Sequence, residues 1–81
     1  MHVRVTYFIA HRDAAGLDGE RIELPEGATV AALLEELARR HPALEALARD
    51  TVVSVNKGLG LGSTVLRDED EVALIPPVAG G

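Results

Sequence analysis

Thr29-Val30-Ala31-Ala32-Leu33-Leu34-Glu35-Glu36-Leu37-Ala38-Arg39-Arg40 is the one long helical pattern in this chain. Val30, Leu33, Leu34 and Leu37 fall at i, i+3, i+4 and i+7, so one apolar stripe forms while Glu35, Glu36, Arg39 and Arg40 point elsewhere. Thr29 is placed as N-cap, because its hydroxyl can accept from the unpaired amides of the first turn. The late arginines suit the negative C-terminal end of the helix dipole. Pro42 biases His41 out of the helical region and closes the segment. A helix with a single apolar face must bury it, and the flanking sequence supplies strands to bury it against.

Upstream, Val3, Val5, Tyr7 and Ile9 alternate with Arg4, Thr6 and Phe8, the period of a strand with one buried face. The stretch Asp13 to Gly19 holds Gly16 and Asp18-Gly19, a turn signal, and Arg21 to Leu24 reads as a second short strand, so the two predict a hairpin. Pro25-Glu26-Gly27-Ala28 ends it. Downstream, Leu44, Leu47 and Ala48 fit one further helical turn. Thr51 to Asn56 is a β-branched third strand. Gly58, Gly60 and Gly62 predict a loop, Ser63 to Leu66 a fourth strand, Asp68-Glu69-Asp70 a charged turn and Glu71 to Ile75 a fifth strand. The expectation is an α+β fold, one main helix across a mixed sheet of about five strands. Residues 1–75 form the domain and 76–81 an extended, flexible tail.

With 81 residues and a formal net charge of −5, the chain has room for one hydrophobic core. Its apolar fraction of 47% and charged fraction of 26% are those of a folded protein, and no apolar run approaches a membrane span. The opening Met1-His2-Val3-Arg4-Val5 lacks the pattern of a secretory signal, so a cytoplasmic location and no membrane partner are expected. Acidic balance and only two aromatics, Tyr7 and Phe8, argue against nucleic acid. The absence of cysteine removes disulfides, zinc thiolates, iron-sulfur ligation and thiol nucleophiles together. A core this small must offset roughly 1.5 kcal/mol per ordered residue of lost conformational entropy, which favours a binding or carrier module over a deep catalytic cavity.

His2, His11 and His41 lie in different elements without ligand-like spacing, so they read as surface or capping residues and no metal site is expected. Gly58-Leu59-Gly60-Leu61-Gly62 looks like a phosphate loop, but Ser63 stands where the dinucleotide fingerprint needs glycine. Asp68 to Glu71 lacks the alternating spacing of a calcium loop. The ending is more informative. Pro76 and Pro77 stiffen the exit from the last strand. Beyond them Val78, Ala79, Gly80 and Gly81 make a narrow tip that, extended, reaches ~13 Å at about 3.3 Å per residue. Such a tip can thread a tight channel; an ordinary frayed terminus is the competing reading.

Asp70-Glu71-Val72-Ala73-Leu74-Ile75-Pro76-Pro77-Val78-Ala79-Gly80-Gly81, with Val55-Asn56 after a strand and Tyr7-Phe8 followed by Arg12 and Gly16, resembles the small subunit of molybdopterin synthase. That family consists of ubiquitin-like β-grasp sulfur carriers, and the resemblance runs the whole length of the chain. It departs from the pattern at Glu69, where a turn glycine is common, at Lys57, and in the glycine-rich run from Gly58 to Gly62. The resemblance implies that a ubiquitin-activating-type enzyme uses ATP to adenylate the carboxylate of Gly81, beside Gly80. The product is converted to a thiocarboxylate. The tail then enters a pocket of the large synthase subunit and donates sulfur to cyclic pyranopterin monophosphate. On this reading the chain binds no cofactor and is not a catalyst by itself. Phe8, Leu59 and Ile75, with Pro76, Pro77, Val78 and Ala79 of the tail, are implied partner contacts. Alternation places Phe8 on the face opposite Val5 and Tyr7, whereas Ile75 fits the core equally well. A carrier for thiamin or tRNA thiolation, a protein-conjugating tag, and a β-grasp interaction domain with an inert tail share the same fold signals.

Overall fold

The computed structural model describes residues 1–76. Strand β1, His2–Tyr7, buries Val3, Val5 and Tyr7 as the alternation requires. The strand stops there. Ile9 takes a left-handed φ of 48° and is exposed, so the expected alternation fails at its last position. A short helix, α1, Ala10–Ala15, then occupies a connection that reads from sequence as a turn. Six residues give too little periodicity to recognise. Its end was legible, because Gly16 caps it at φ 77° and returns its N–H to the Arg12 carbonyl at 2.8 Å. His11 of α1 is buried, which corrects its assignment to the surface.

Strand β2, Gly19–Glu23, pairs antiparallel with β1, Val3 opposite Ile22 and Val5 opposite Glu20. Helix α2, Val30–Arg40, starts where expected, the Thr29 hydroxyl accepting from the Ala32 amide at 3.2 Å. It buries Val30, Leu33 and Leu37, with Leu34 half-buried. His41 is the C-terminal cap. Pro42 then opens a 3₁₀ helix, Pro42–Asp50, longer than the single turn expected, which buries Leu44.

Strand β3, Val52–Val55, turns through Asn56 and Lys57 at φ 49° and 71° into strand β4, Gly58–Gly60. The glycine-rich run is therefore partly a strand, not a loop. Gly60 is glycine for a packing reason, since a Cβ there would lie 2.8 Å from Val55 Cγ2. Ser63 to Leu66 forms no strand; only an isolated bridge joins Val65 to Thr29. Strand β5, Glu71–Ile75, completes a sheet of order β2-β1-β5-β3-β4. β5 runs parallel to β1 and antiparallel to β3 and occupies the centre. The stripe of α2 meets Val3, Val5, Tyr7, Ile22, Val53, Val72 and Leu74 in one core. The mixed five-stranded sheet with one main helix is the architecture the sequence predicts.

The charged turn is tied down by an amide. Asn56 Nδ2 donates to Asp70 Oδ1 at 2.8 Å, and Asn56 Oδ1 accepts from the Glu71 amide at 2.9 Å. Glu69 sits at φ 66°, the conformation for which a glycine is suited, and its carboxylate pairs with Arg21 at 2.6 Å. Among the described residues no helix is long and apolar enough to cross a membrane.

Candidate functional site

The core takes one face of the sheet, and among the described residues no helix packs on the other. On that outer face, strand pairing sets side chains in rows. Thr6 lies beside Ala73, Ala73 beside Ser54, and Ser54 beside Leu59. Ile75 lies opposite Val52. Phe8 comes directly after the Tyr7–Leu74 pair and so stands level with Ile75. Phe8 is 45% exposed and Leu59 75%, while Ile75 is half-buried on the outer face, since β5 turns Val72 and Leu74 to the core. The three positions expected to contact a partner thus share one face, Phe8 and Ile75 close together and Leu59 toward the β4 edge. Exposed Val52 extends the apolar patch between them.

At the end of β5, Ile75 leads into half-buried Pro76, so the tail begins beside Phe8 on the most central strand. Pro77, Val78, Ala79, Gly80 and Gly81, the remaining positions expected to act, lie outside the described residues.

A hollow of about 340 Å³ with a mixed lining continues the patch, bounded by Arg4, Thr6, Phe8, Ser54, Lys57 and Glu71. The sequence reading did not single out Arg4 and Lys57 as functional. The alternation that put Phe8 on the outer face places Arg4 and Thr6 there too, so that signal was available. Lys57 could not be placed without knowing that residues 56 and 57 form a two-residue turn.

Behind the sheet, where β1 ends, the Tyr7 hydroxyl donates to Glu20 Oε2 at 2.7 Å, and His41 Nε2 approaches the same oxygen at 2.5 Å. The Tyr7 and His41 rings meet edge to face at 6.1 Å between centroids. Burial first, and Glu20 second, push the Tyr7 phenol well above the ordinary tyrosine range. The cluster joins β1, β2 and the end of α2. It explains why Glu20, on the core face of β2, is tolerated there. Burial likewise holds His11 below the usual imidazole range, partly opposed by the Phe8 carbonyl. These histidines bond to Glu20 and Thr51, and the arrangement is structural.

Comparison with known proteins agrees with this geometry. A sequence profile described as the ThiS family matches residues 5–81. The molybdopterin synthase sulfur carrier subunit of Chlamydomonas reinhardtii is 36% identical over 100% of both chains. That of Mycobacterium tuberculosis is 40% identical over 98% of this chain and 96% of its own. Among solved structures, a Pyrococcus furiosus protein assigned as molybdopterin converting factor subunit 1 superposes with a TM-score of 0.89 at 37% identity, covering 96% of this chain and 99% of that one. Small archaeal modifier protein 1 of Haloferax volcanii gives 0.85 at 28% identity, over 95% and 98%. A Helicobacter pylori complex of subunits 1 and 2 of molybdopterin-converting factor contains a chain giving 0.69 at 26% identity, over 100% of both. With its helix on a mixed sheet, its outward Phe8 and a profile match that reaches the last glycine, this ubiquitin-like chain belongs to the ThiS family.

Proposed function

We propose that this protein is the sulfur carrier of molybdopterin synthase, presenting Gly81 as a thiocarboxylate. The observation that carries the reading is full-length similarity to molybdopterin synthase sulfur carrier subunits, combined with a β5 that delivers Pro76 beside an outward apolar patch. The absence of cysteine directs the chemistry to the chain end. A carboxylate is a poor electrophile, so its oxygen attacks the α-phosphorus of ATP, pyrophosphate leaves, and an acyl adenylate forms. A sulfide-level donor then displaces AMP, and the C–S bond of the thiocarboxylate replaces the C–O bond to phosphate. Both steps belong to an adenylating enzyme. This chain contributes the reacting atom and the surface by which partners hold it.

On this reading the large synthase subunit takes the charged tail, and sulfur passes to cyclic pyranopterin monophosphate. Phe8, Leu59 and Ile75 then form the apolar contact, and Gly80 lets the backbone approach closely because no Cβ intervenes. The test is intact-protein mass spectrometry after incubation with the adenylating enzyme, ATP and a sulfur donor. The expected product shows one oxygen exchanged for sulfur at Gly81, and delivery of that sulfur to the pterin when the large subunit is added. A chain lacking Gly81 that still transfers sulfur overturns the proposal. Similarity to the archaeal modifier protein supports a second reading, conjugation to lysine, and isopeptide-linked adducts in the same mixture would favour it.

A further inference from the structure

Resting on that reading, we propose that Arg4 and Lys57 form a carboxylate-selecting end of the docking face, and that the partner segment laid along it carries an acidic side chain beside an apolar one. The hollow on the outer face has two unlike ends. Phe8 and Ala73 give an apolar floor, Arg4 and Lys57 bring two cations, and the hydroxyls of Thr6 and Ser54 stand between. Of the eight lysines and arginines, Arg12, Arg21, Arg39 and Arg40 each hold a carboxylate, on Asp18, Glu69, Glu36 and Glu36. Arg4 and Lys57, like Arg49 and Arg67, hold none within 4.0 Å among the described residues, although Glu71 is the register partner of Arg4 on β5.

The backbone adds a second observation. Lys57 sits at φ 71°, where an L side chain costs roughly 1–2 kcal/mol and glycine would cost far less. A long cation therefore stands where turn geometry favours no side chain, and it overhangs the same hollow as Arg4. A guanidinium and an ammonium lining one hollow with Phe8 and Ala73 match a carboxylate that becomes partly desolvated as its neighbour covers Phe8. The chain's net charge of −5 opposes long-range attraction of an acidic partner, so the pair acts at contact and slows dissociation. Glu71 is the local opponent, lining the hollow with the same sign as the incoming group.

The experiment is calorimetric titration of the intact chain with the large synthase subunit and, separately, with the adenylating enzyme. The Arg4→Gln/Lys57→Gln double variant should lose affinity for at least one of them by ~10-fold or more, with an unchanged thermal midpoint. Glu71→Gln should tighten the same complex by roughly two- to threefold. If the double variant binds both partners like the parent, the selecting role is overturned while the carrier function stands. If the parent binds neither, both readings fall. Two occupants would also overturn it: inorganic phosphate alone shifting the Arg4 and Lys57 resonances at low millimolar concentration, or a dimer of this chain in sedimentation that the double variant abolishes.

Discussion

His11 Nε2 lies 2.7 Å from the Thr51 hydroxyl, tying α1 to the residue that precedes β3. That hydroxyl donates to the Leu47 carbonyl at 2.6 Å, so it accepts from the ring and fixes the neutral tautomer with its proton on Nε2. Nδ1 is buried with no partner among the described residues. The folded chain therefore binds a proton at His11 less readily than the unfolded chain, whose imidazole titrates near 6.5. The contribution is fully present above that value and is lost as pH falls below it toward the folded pKa. Thermal midpoints should drop as pH falls below about 6.5, and His11→Gln should shrink that drop. An unchanged acid limb in the variant would remove His11 as its source.

Tyr7→Phe removes the donor to Glu20 and leaves the ring packing intact. A hydrogen bond to a charged acceptor contributes about 1.5 to 3 kcal/mol, and chemical denaturation should show a loss in that range. Because burial and Glu20 both raise the phenol pKa, absorbance titration of the native protein should show no phenolate through the ordinary tyrosine range.

Lys57→Gly should stabilise the fold. Relief of the left-handed strain, about 1 to 2 kcal/mol, exceeds the roughly 0.5 to 1 kcal/mol of extra backbone entropy that glycine loses. Asn56-Gly is also the favoured two-residue hairpin turn. A net gain of ~0.5 to 1 kcal/mol corresponds to a rise of a few degrees in Tm for a domain this size.

Leu33 and Phe8 should respond oppositely to truncation. Leu33 is 0% exposed in the core, and Leu33→Ala should cost ~2 to 5 kcal/mol. Phe8 is 45% exposed, and Phe8→Ala should cost far less stability but weaken partner binding by at least ~1 to 2 kcal/mol. Denaturation and calorimetry on the same two variants separate the effects. A Phe8 variant that unfolds easily yet binds normally would reverse the assignment of faces.

Elements longer than a few residues were readable because burial imposes a period: α2 on Val30, Leu33 and Leu37, β1 on Val3, Val5 and Tyr7, β5 on Val72 and Leu74. Where the determinant is tertiary, the sequence was silent or misleading. β4 is a strand because β3 pairs with it, and Gly60 is glycine because Val55 leaves no room for a Cβ, and neither fact is local. Ser63 to Leu66 has strand-like residues but only one bridge partner, Thr29, so no ladder forms. His11 is buried by a helix too short to leave a periodic trace. The outward patch was legible for Phe8 through alternation. Glu20 and His41 meet only because β2 and the end of α2 converge.

The position of β5 sets how force would pass through this molecule. A partner gripping the tail pulls at Pro76, and that pull runs along a strand bonded laterally to β1 on one side and β3 on the other. Loaded lengthwise, both ladders resist together in shear, whereas an edge strand can be peeled one bond at a time. The root of the tail is thus moored on both sides, as an edge strand is not. Work done in drawing the chain end into a channel should be spent on the tail, not on unravelling the domain behind it.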